Sequence, residues 1–266
     1  MTPLQQELLD CALEAARRAG VLLHQGRPDD LGVAATKSSA VDVVTEMDLA
    51  AEKMITELIA ERRPDDGLLG EEGASREGSS GVRWVIDPLD GTVNYLYGLP
   101  AWSVSIAAEL DGTALVGGVE VPARGETVHG VLGGGAFLNG RPLHCRLPAP
   151  PMERALVGTG FGYLRERRVQ QAAVVQELIP QLRDIRRAGS AAIDLCDVAA
   201  GRLDGYYERG LNPWDYAAGV LIASEAGALV GGRPGGSPSS ELTVAAPTGL
   251  FEPLQQALER LGAWHD

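Results

Sequence analysis

The chain has few cysteines and a shortage of positive charge, and each shortage excludes a class of protein. Its three cysteines, Cys11, Cys145 and Cys196, are scattered and contain no C-x-x-C pair. They predict reduced thiols in a cytoplasmic protein and argue against a disulfide framework or a cysteine zinc site. The net charge of −13 argues against a nucleic-acid or anionic membrane partner. Bound cations could still bring a phosphorylated substrate to an acidic site.

Long hydrophobic runs and aromatic residues are also scarce. No stretch approaches the length of a transmembrane helix, and the N-terminus lacks the basic and apolar regions of a signal peptide. Only 5% of the residues are aromatic although 45% are hydrophobic, so alanine, valine, leucine and glycine must form most of the core. With 266 residues, that core can serve one large domain or two closely packed lobes.

The strongest chemical signal is the segment Asp87–Thr92, which reads Asp-Pro-Leu-Asp-Gly-Thr. Residues 82–86 favour a strand, and Pro88 predicts its end because proline has no N–H for a sheet ladder. Asp87 and Asp90 then meet at a strand end, before a turn with free N–H groups. Carboxylates bind hard cations and such N–H groups bind anions, so the segment fits a divalent metal beside a phosphate. Two ordinary turns remain the alternative at this point.

Four further acids have ordinary structural explanations when each is taken alone. Asp48 fits a capping box at the predicted start of a helix. Glu71 and Glu72 lie between glycines, where a solvated turn is common, yet the short apolar strand 67–69 directs both toward one place. Asp215 lies at another predicted helix start, where an acid is ordinarily a cap or a dipole partner.

The pattern of predicted elements changes along the chain. Residues 102–140 predict an antiparallel meander, whereas strands and helices alternate beyond the proline-rich stretch 147–151. We therefore predict an N-terminal α+β lobe, residues 1–148, and a C-terminal α/β lobe, residues 149–266. The glycine-rich segment 158–162 lacks the Gly-Lys-Ser/Thr ending of a phosphate loop, so we interpret it as an ordinary loop.

Taken together and in order, these acids resemble the motifs of the inositol monophosphatase family, which belongs to the lithium-sensitive, magnesium-dependent phosphatases. The matching acidic motifs are Gly-Glu-Glu at 70–72, Asp-Pro-Leu-Asp-Gly-Thr at 87–92 and Trp-Asp at 214–215. Further similar segments extend the resemblance over essentially the whole chain: 37–48, 134–140 and 206–208. The resemblance implies a mixed α+β and α/β fold, a layered α-β-α-β-α sandwich, and a homodimer.

The resemblance also implies metal ligands. A first Mg²⁺ would be bound by Glu71, Asp87 and the Leu89 carbonyl, and a second by Asp87, Asp90 and Asp215. A weaker third ion would be held by Glu71 through waters. Oxygen ligands without histidine or cysteine suit Mg²⁺ better than Zn²⁺.

Other matching positions would act on the phosphate, the water and the substrate. The N–H groups of Gly91 and Thr92 would bind the phosphate, while Asp48 and Thr92 would orient and deprotonate the attacking water. The positions that would contact inositol hydroxyls are Asp90, Ser190, Ala191 and Glu208. The positions that would act from a mobile loop or behind the metal ligands are Lys37, Asp42 and Glu72.

The implied activity is hydrolysis of inositol-1-phosphate to inositol and phosphate by metal-activated water. Histidinol-phosphate phosphatases, fructose-1,6-bisphosphatases and 3′,5′-bisphosphate nucleotidases share the fold and remain alternatives, although residues 206–215 look most like the inositol-phosphate branch. A catalytically silent member that binds other proteins is a further alternative. Such a member is expected to have lost a ligand, whereas all four metal carboxylates are present.

Overall fold

The structure, a computed structural model, describes residues 1–28, 31–37 and 43–264. Its seven α-helices are α1 (Pro3–Gly26), α2 (Glu46–Arg62), α3 (Thr92–Leu96), α4 (Arg165–Leu178), α5 (Ala191–Ala199), α6 (Pro213–Glu225) and α7 (Phe251–Arg260). A short antiparallel ribbon precedes α2 and consists of β1 (Ala35–Thr36) and β2 (Val43–Val44).

The larger sheet has eight strands and is almost entirely antiparallel. Its strands are β3 (Gly67–Gly70), β4 (Ser75–Arg76), β5 (Val82–Asp90), β6 (Ser103–Leu110), β7 (Thr113–Val121), β8 (Glu126–Val131), β9 (Gly135–Leu138) and β10 (Arg141–Pro142). They lie in the order β10-β9-β8-β7-β6-β5-β3-β4, with only β3 and β5 parallel. The predicted meander is therefore confirmed.

The smaller sheet has five strands. They are β11 (Leu156–Thr159), β12 (Asp184–Arg186), β13 (Gly205–Glu208), β14 (Ala228–Gly231) and β15 (Thr243–Pro247). Their order is β12-β11-β13-β15-β14, and β11 runs parallel to both of its neighbours.

Helices and sheets alternate in five layers. Helices α1 and α2 cover one face of the larger sheet, while α5 and α6 lie between the two sheets. The outer face of the smaller sheet is covered by α4 and α7. The predicted α-β-α-β-α sandwich is confirmed. The division at residue 148 stays a prediction, since α5 and α6 pack against both sheets.

Helix α6 lies unusually close to the larger sheet because small residues face each other there. A Cβ on Gly117 of β7 would lie 2.9 Å from the Cα of Ala218, which belongs to α6. Any larger residue at Gly117 would push the helix away from the sheet, at a cost of about 1–3 kcal/mol. Because Asp215 lies near the start of α6, this packing also sets the position of a predicted metal ligand.

Helix α1 has a clear sequence signal at each end. Thr2 and Gln5 form a capping box, Pro3 occupies the first turn, and the helix ends at Gly26. The helix is 24 residues long, but it is amphipathic and buries a face of leucine and alanine against the sheet. No helix in the part of the chain that the structure describes is long and apolar enough to span a membrane.

The prediction that Pro88 ends its strand is wrong. Strand β5 continues to Asp90, and its register against β6 shifts between Asp87 and Asp90. Pro88 and Leu89 of β5 therefore oppose the single residue Val104 of β6, which is a β-bulge, and a bulge accommodates the missing N–H of a proline. The extra residue bends the strand so that both aspartates line the same cavity.

Candidate active site

A cavity of about 360 Å³ lies where the end of β5, the end of β13 and the start of α6 meet. The predicted residues that line it are Lys37, Glu71, Asp87, Leu89, Asp90, Gly91, Thr92, Ala191, Glu208 and Asp215. Three other predicted residues, Asp48, Glu72 and Ser190, contact these lining residues from behind. Asp42 lies outside the described residues.

Five acids line this cavity, and four of them, Glu71, Asp87, Asp90 and Asp215, are the predicted metal ligands, whose charges repel one another. Burial raises the pKa of Asp87, and the charges of Glu71, Asp90 and Asp215 raise it further. Burial also raises the pKa of Asp215, again with added repulsion from Glu71 and Asp90. Such a cluster is stable in its charged form only when cations compensate it.

Backbone N–H groups orient two of these carboxylates. The N–H of Leu89 donates to Oδ1 of Asp87 at 2.9 Å. The N–H of Asn212 donates to Oδ2 of Asp215 at 2.6 Å, so Asp215 forms the capping box of α6. Both carboxylates are thereby held in the wall of the cavity. The ordinary explanation of Asp215 as a cap is correct, and it does not compete with metal binding.

Asp90 connects the larger sheet to the start of α5. Its Oδ2 accepts a hydrogen bond from the Ser190 hydroxyl at 2.5 Å and another from the Ala192 N–H at 2.8 Å. Ser190 is itself the N-cap of α5, because its Oγ accepts from the N–H of Ile193 at 3.2 Å. Burial raises the pKa of Asp90 to about 6, although these hydrogen bonds oppose the shift. Ser190 thus positions Asp90, and its hydroxyl lies beside Asp90, where the resemblance implies a contact with inositol.

Asp48 and Thr92 form a buried pair behind the acids that are predicted to bind metal. Oγ1 of Thr92 lies 3.0 Å from Oδ1 of Asp48 and 3.0 Å from the Leu89 carbonyl oxygen, and its single proton can serve one acceptor at a time. Oδ2 of Asp48 accepts from the Thr45 N–H at 2.9 Å and from its hydroxyl, which confirms the predicted capping box. Burial raises the pKa of Asp48.

Lys37 reaches into the acidic end of the cavity. Its Nζ lies 2.7 Å from Oε1 of Glu71 and 2.8 Å from Oε1 of Glu72. Burial alone would lower the pKa of the Lys37 ammonium, but these two carboxylates raise it above its ordinary value. Burial raises the pKa of Glu72 to about 7. The ammonium therefore supplies part of the positive charge that the acids require.

Glu52 of α2 holds the turn that carries Glu71 and Glu72, and the sequence reasoning missed it. Its Oε2 accepts from the Glu72 N–H at 2.8 Å and its Oε1 from the Ala74 N–H at 2.9 Å. The side chain is 7% exposed. The available signal was an acid beside the buried helix position Ala51, where a charged residue needs a specific partner.

Glu208 ends β13 and faces the cavity. Its Oε2 accepts from the Tyr206 hydroxyl at 2.7 Å. Burial raises its pKa to about 7, while the Tyr206 hydrogen bond and the charge of Arg187 oppose the shift. The loop after β11 also belongs to the cavity wall through Gly160 and Phe161. The loop predicted for residues 158–162 is confirmed only for residues 160–162, which form part of the site, whereas Gly158 and Thr159 belong to β11.

Two further contributions to the site have no signal in the local sequence. Asn94 donates from Nδ2 to the carbonyl oxygens of Ala101 at 2.6 Å and Ala188 at 2.9 Å, which joins α3 to the turn before α5. Arg167 and Arg187 line the cavity as well. The placement of all three depends on contacts between distant segments.

The chemistry of the donors fits a hard divalent cation. Among the described residues, no group of three or more acidic, histidine or cysteine side chains has the arrangement that would hold a metal ion. Glu71, Asp87, Asp90 and Asp215 nevertheless line one cavity, and together with the Leu89 carbonyl they offer the oxygen-only set that Mg²⁺ prefers.

Comparisons with known proteins agree with this geometry. A sequence profile described as the inositol monophosphatase family matches residues 4–263. An inositol-1-monophosphatase of Mycobacterium bovis is 43% identical over 260 residues, which cover 94% of this chain and 89% of that protein. A Nus factor SuhB of Escherichia coli K12 is 40% identical over 231 residues, 86% of each chain. The crystal structure of a suhB protein from Bartonella henselae superposes with a TM-score of 0.88 at 34% identity, covering 94% of this chain and 98% of that one.

Proposed function

The chain belongs to the inositol monophosphatase family, a family of phosphatases, and we propose that it hydrolyses inositol-1-phosphate with bound Mg²⁺. The observation that supports the proposal best is the meeting of Glu71, Asp87, Asp90 and Asp215 in one cavity. The names of the mycobacterial relatives agree with this substrate. Three buried, free cysteines fit the predicted reducing cytoplasm, and a homodimer is part of the same proposal.

The proposed metal ligands are Glu71, Asp87, Asp90, Asp215 and the Leu89 carbonyl. Two to three Mg²⁺ ions bound there would lower the pKa of a water, neutralise the phosphate and stabilise the leaving oxygen. The side chains contribute orientation before any ion arrives, because Asp87, Asp90 and Asp215 are each fixed by hydrogen bonds to one oxygen. Such pre-organisation reduces the reorganisation that binding requires.

Asp48 and Thr92 are proposed to handle the attacking water. The Thr92 hydroxyl can accept a hydrogen bond from the water while its own proton points to Oδ1 of Asp48, 3.0 Å away. Because burial raises the pKa of Asp48, this carboxylate takes up a proton more readily than an exposed one. The proton would then lie on Asp48, inside the Thr45 capping box.

The phosphate is proposed to rest on the turn that starts α3. Gly91 has φ = +92° and no side chain caps the N–H groups after it. A Cβ at this position would lie 2.8 Å from the Ala101 carbonyl oxygen, so only glycine keeps the turn. The N–H groups of Gly91 and Thr92 are then available as hydrogen-bond donors to phosphate oxygens.

Inositol hydroxyls are proposed to contact Asp90, Ser190, Ala191 and Glu208. Glu208 is ready to accept such hydrogen bonds because Tyr206 satisfies only its Oε2. Ser190 keeps a hydroxyl close to Asp90. These groups distinguish a polyol phosphate from a phosphate ester without hydroxyls, and they take no part in bond cleavage.

Phosphate release from a panel of substrates tests the proposal. The panel contains inositol-1-phosphate, histidinol phosphate, fructose-1,6-bisphosphate and adenosine 3′,5′-bisphosphate, each with Mg²⁺ and with a chelator. We expect turnover of inositol-1-phosphate that requires Mg²⁺. A clear preference for another member of the panel would replace the substrate, and no turnover of any member would contradict the proposal.

A further inference from the structure

The cavity contains a basic wall that the proposed reaction does not use. We define this wall as Arg167 and Arg187, which line the same cavity as the acids. The ion pairs of the described residues involve neither arginine. The Nε of Arg167 is buried and has no hydrogen-bond partner. A buried N–H group without a hydrogen-bond acceptor is unfavourable, and an anion beside this guanidinium would supply an acceptor.

Glycines from two separate segments make room for Arg167. A Cβ on Gly162 would lie 2.8 Å from Cδ of Arg167. A Cβ on Gly210, which has φ = +95°, would lie 3.2 Å from Cζ of Arg167. The loop after β11 and the segment after β13 thus both lack a side chain where the arginine passes. The guanidinium occupies a fitted groove in the wall and does not extend freely into solvent.

Arg187 places the basic wall next to the proposed hydroxyl-binding group. Its Cζ lies 3.4 Å from the position of a Cβ on Gly189, in the turn that leads to Ser190. Its charge acts on Glu208, which also senses the charge of Asp90. Glu208 and both arginines line the same cavity as the acids. A ligand that fills this cavity therefore meets positive charge as well as carboxylates.

We propose that Arg167, together with Arg187 of the same cavity, binds a second phosphate of the substrate, so that the cavity favours inositol bisphosphates over inositol monophosphates. The inference rests on the proposed function, because it places the phosphate that is cleaved at the acids. The second phosphate is not cleaved at the basic wall. It contributes equally to substrate and transition-state binding, and so it lowers KM with little change in kcat.

Initial rates with inositol-1-phosphate and inositol-1,4-bisphosphate test this site. In the wild type we expect KM for the bisphosphate to be about ten- to a hundredfold lower, the effect of one charge-assisted hydrogen bond. Arg167→Ala should bring the two KM values together, and Arg167→Lys should restore part of the difference. Arg168→Ala is the matched control, since Arg168 is the exposed neighbour on the same helix. Equal KM values in the wild type, or an unchanged ratio in Arg167→Ala, would overturn the proposal.

Two further measurements distinguish loss of the second phosphate site from unfolding and from loss of catalysis. The melting temperature should be unchanged in Arg167→Ala, which would show that the variant is folded. Calorimetric titration of inositol-1,4-bisphosphate into Asp90→Asn, with and without Arg167→Ala, measures affinity without turnover. Failure of the wild type to release phosphate would refute the proposed function alone. Equal affinities in the two titrated variants would refute the second phosphate site alone.

Discussion

The two walls of the cavity differ in how their side chains are held. The acidic wall consists of Glu71, Asp87, Asp90 and Asp215. Its three aspartates are fixed by hydrogen bonds from backbone N–H groups and from Ser190, and Glu71 is paired with Lys37. The basic wall, Arg167 and Arg187, is held by packing against glycines. Groups that would bind metals must keep their positions closely, whereas groups that would recognise the rest of a substrate tolerate movement. We infer that the acidic wall carries the chemistry and the basic wall the selectivity.

The largest effect is expected from Asp90→Asn in the acidic wall. The change removes a charged ligand but keeps an oxygen acceptor for Ser190 and Ala192. Loss of a ligand should lower the rate of Mg²⁺-dependent phosphate release at least about a hundredfold. Mutation of a residue that only hydrogen-bonds to a metal ligand already lowers metal affinity or activity about 10–100-fold. The melting temperature without Mg²⁺ should stay close to that of the wild type. Asp111→Asn, in an exposed hairpin turn with φ = +50°, is the control and should retain activity.

Glu208→Gln should separate chemistry from selectivity. The variant keeps an acceptor but loses the charge, so kcat/KM for inositol-1-phosphate should fall by about ten- to a hundredfold. The loss should be much smaller with 4-nitrophenyl phosphate, which has no hydroxyls to bind. Equal losses on both substrates would mean that Glu208 supports the metals or the fold. Absence of any loss with inositol-1-phosphate would point to another natural substrate.

Glu52→Gln should weaken the acidic wall without touching a ligand. The amide can accept only one of the two N–H groups that Glu52 now binds, so the turn with Glu71 loosens. We expect the Mg²⁺ concentration for half-maximal activity to rise about tenfold, with kcat nearly restored at saturating Mg²⁺. Glu57→Gln, on the same helix with a side chain 68% exposed, should change neither quantity. A loss of kcat that Mg²⁺ does not restore would assign Glu52 to the fold instead.

Lithium should give the smallest and fully reversible effect. A site for a small hard cation at Asp87, Asp90 and Asp215 should also accept Li⁺, which carries less charge to the leaving oxygen. Inhibition should be uncompetitive or noncompetitive toward substrate at concentrations on the order of millimolar, as for weakly held ions. Dialysis should restore the rate. Full activity far above that range would count against this ligand set, though not against phosphatase activity.

For several key residues, local sequence rules predicted the structural role correctly but not the contacts across the cavity. The capping box of Asp48 and the helix-start position of Asp215 were readable from neighbouring residues, and both are present. The groups that each carboxylate faces across the cavity could not be predicted from neighbouring residues. The contact between Asp48 and Thr92 joins residues 44 positions apart, and only the family resemblance suggested it.

Other features depend on partners that a local pattern does not contain. Pro88 failed as a strand terminator because the bulge is defined by the register of β6. Arg167 was not predicted because its groove is formed by Gly162 and Gly210, which lie in different segments. Glu52 was missed because its partners are backbone N–H groups of a distant turn. The motif-dense acidic wall was therefore predictable, and the basic wall was not.

Calorimetric titration of Mg²⁺ without substrate tests the central claim most directly. The wild type should bind two or more ions, with an accompanying rise in melting temperature. Asp90→Asn should bind at least one ion fewer and show a smaller rise, while Arg167→Ala should match the wild type. Identical isotherms for the wild type and Asp90→Asn would contradict the assignment of the acidic wall to metal binding.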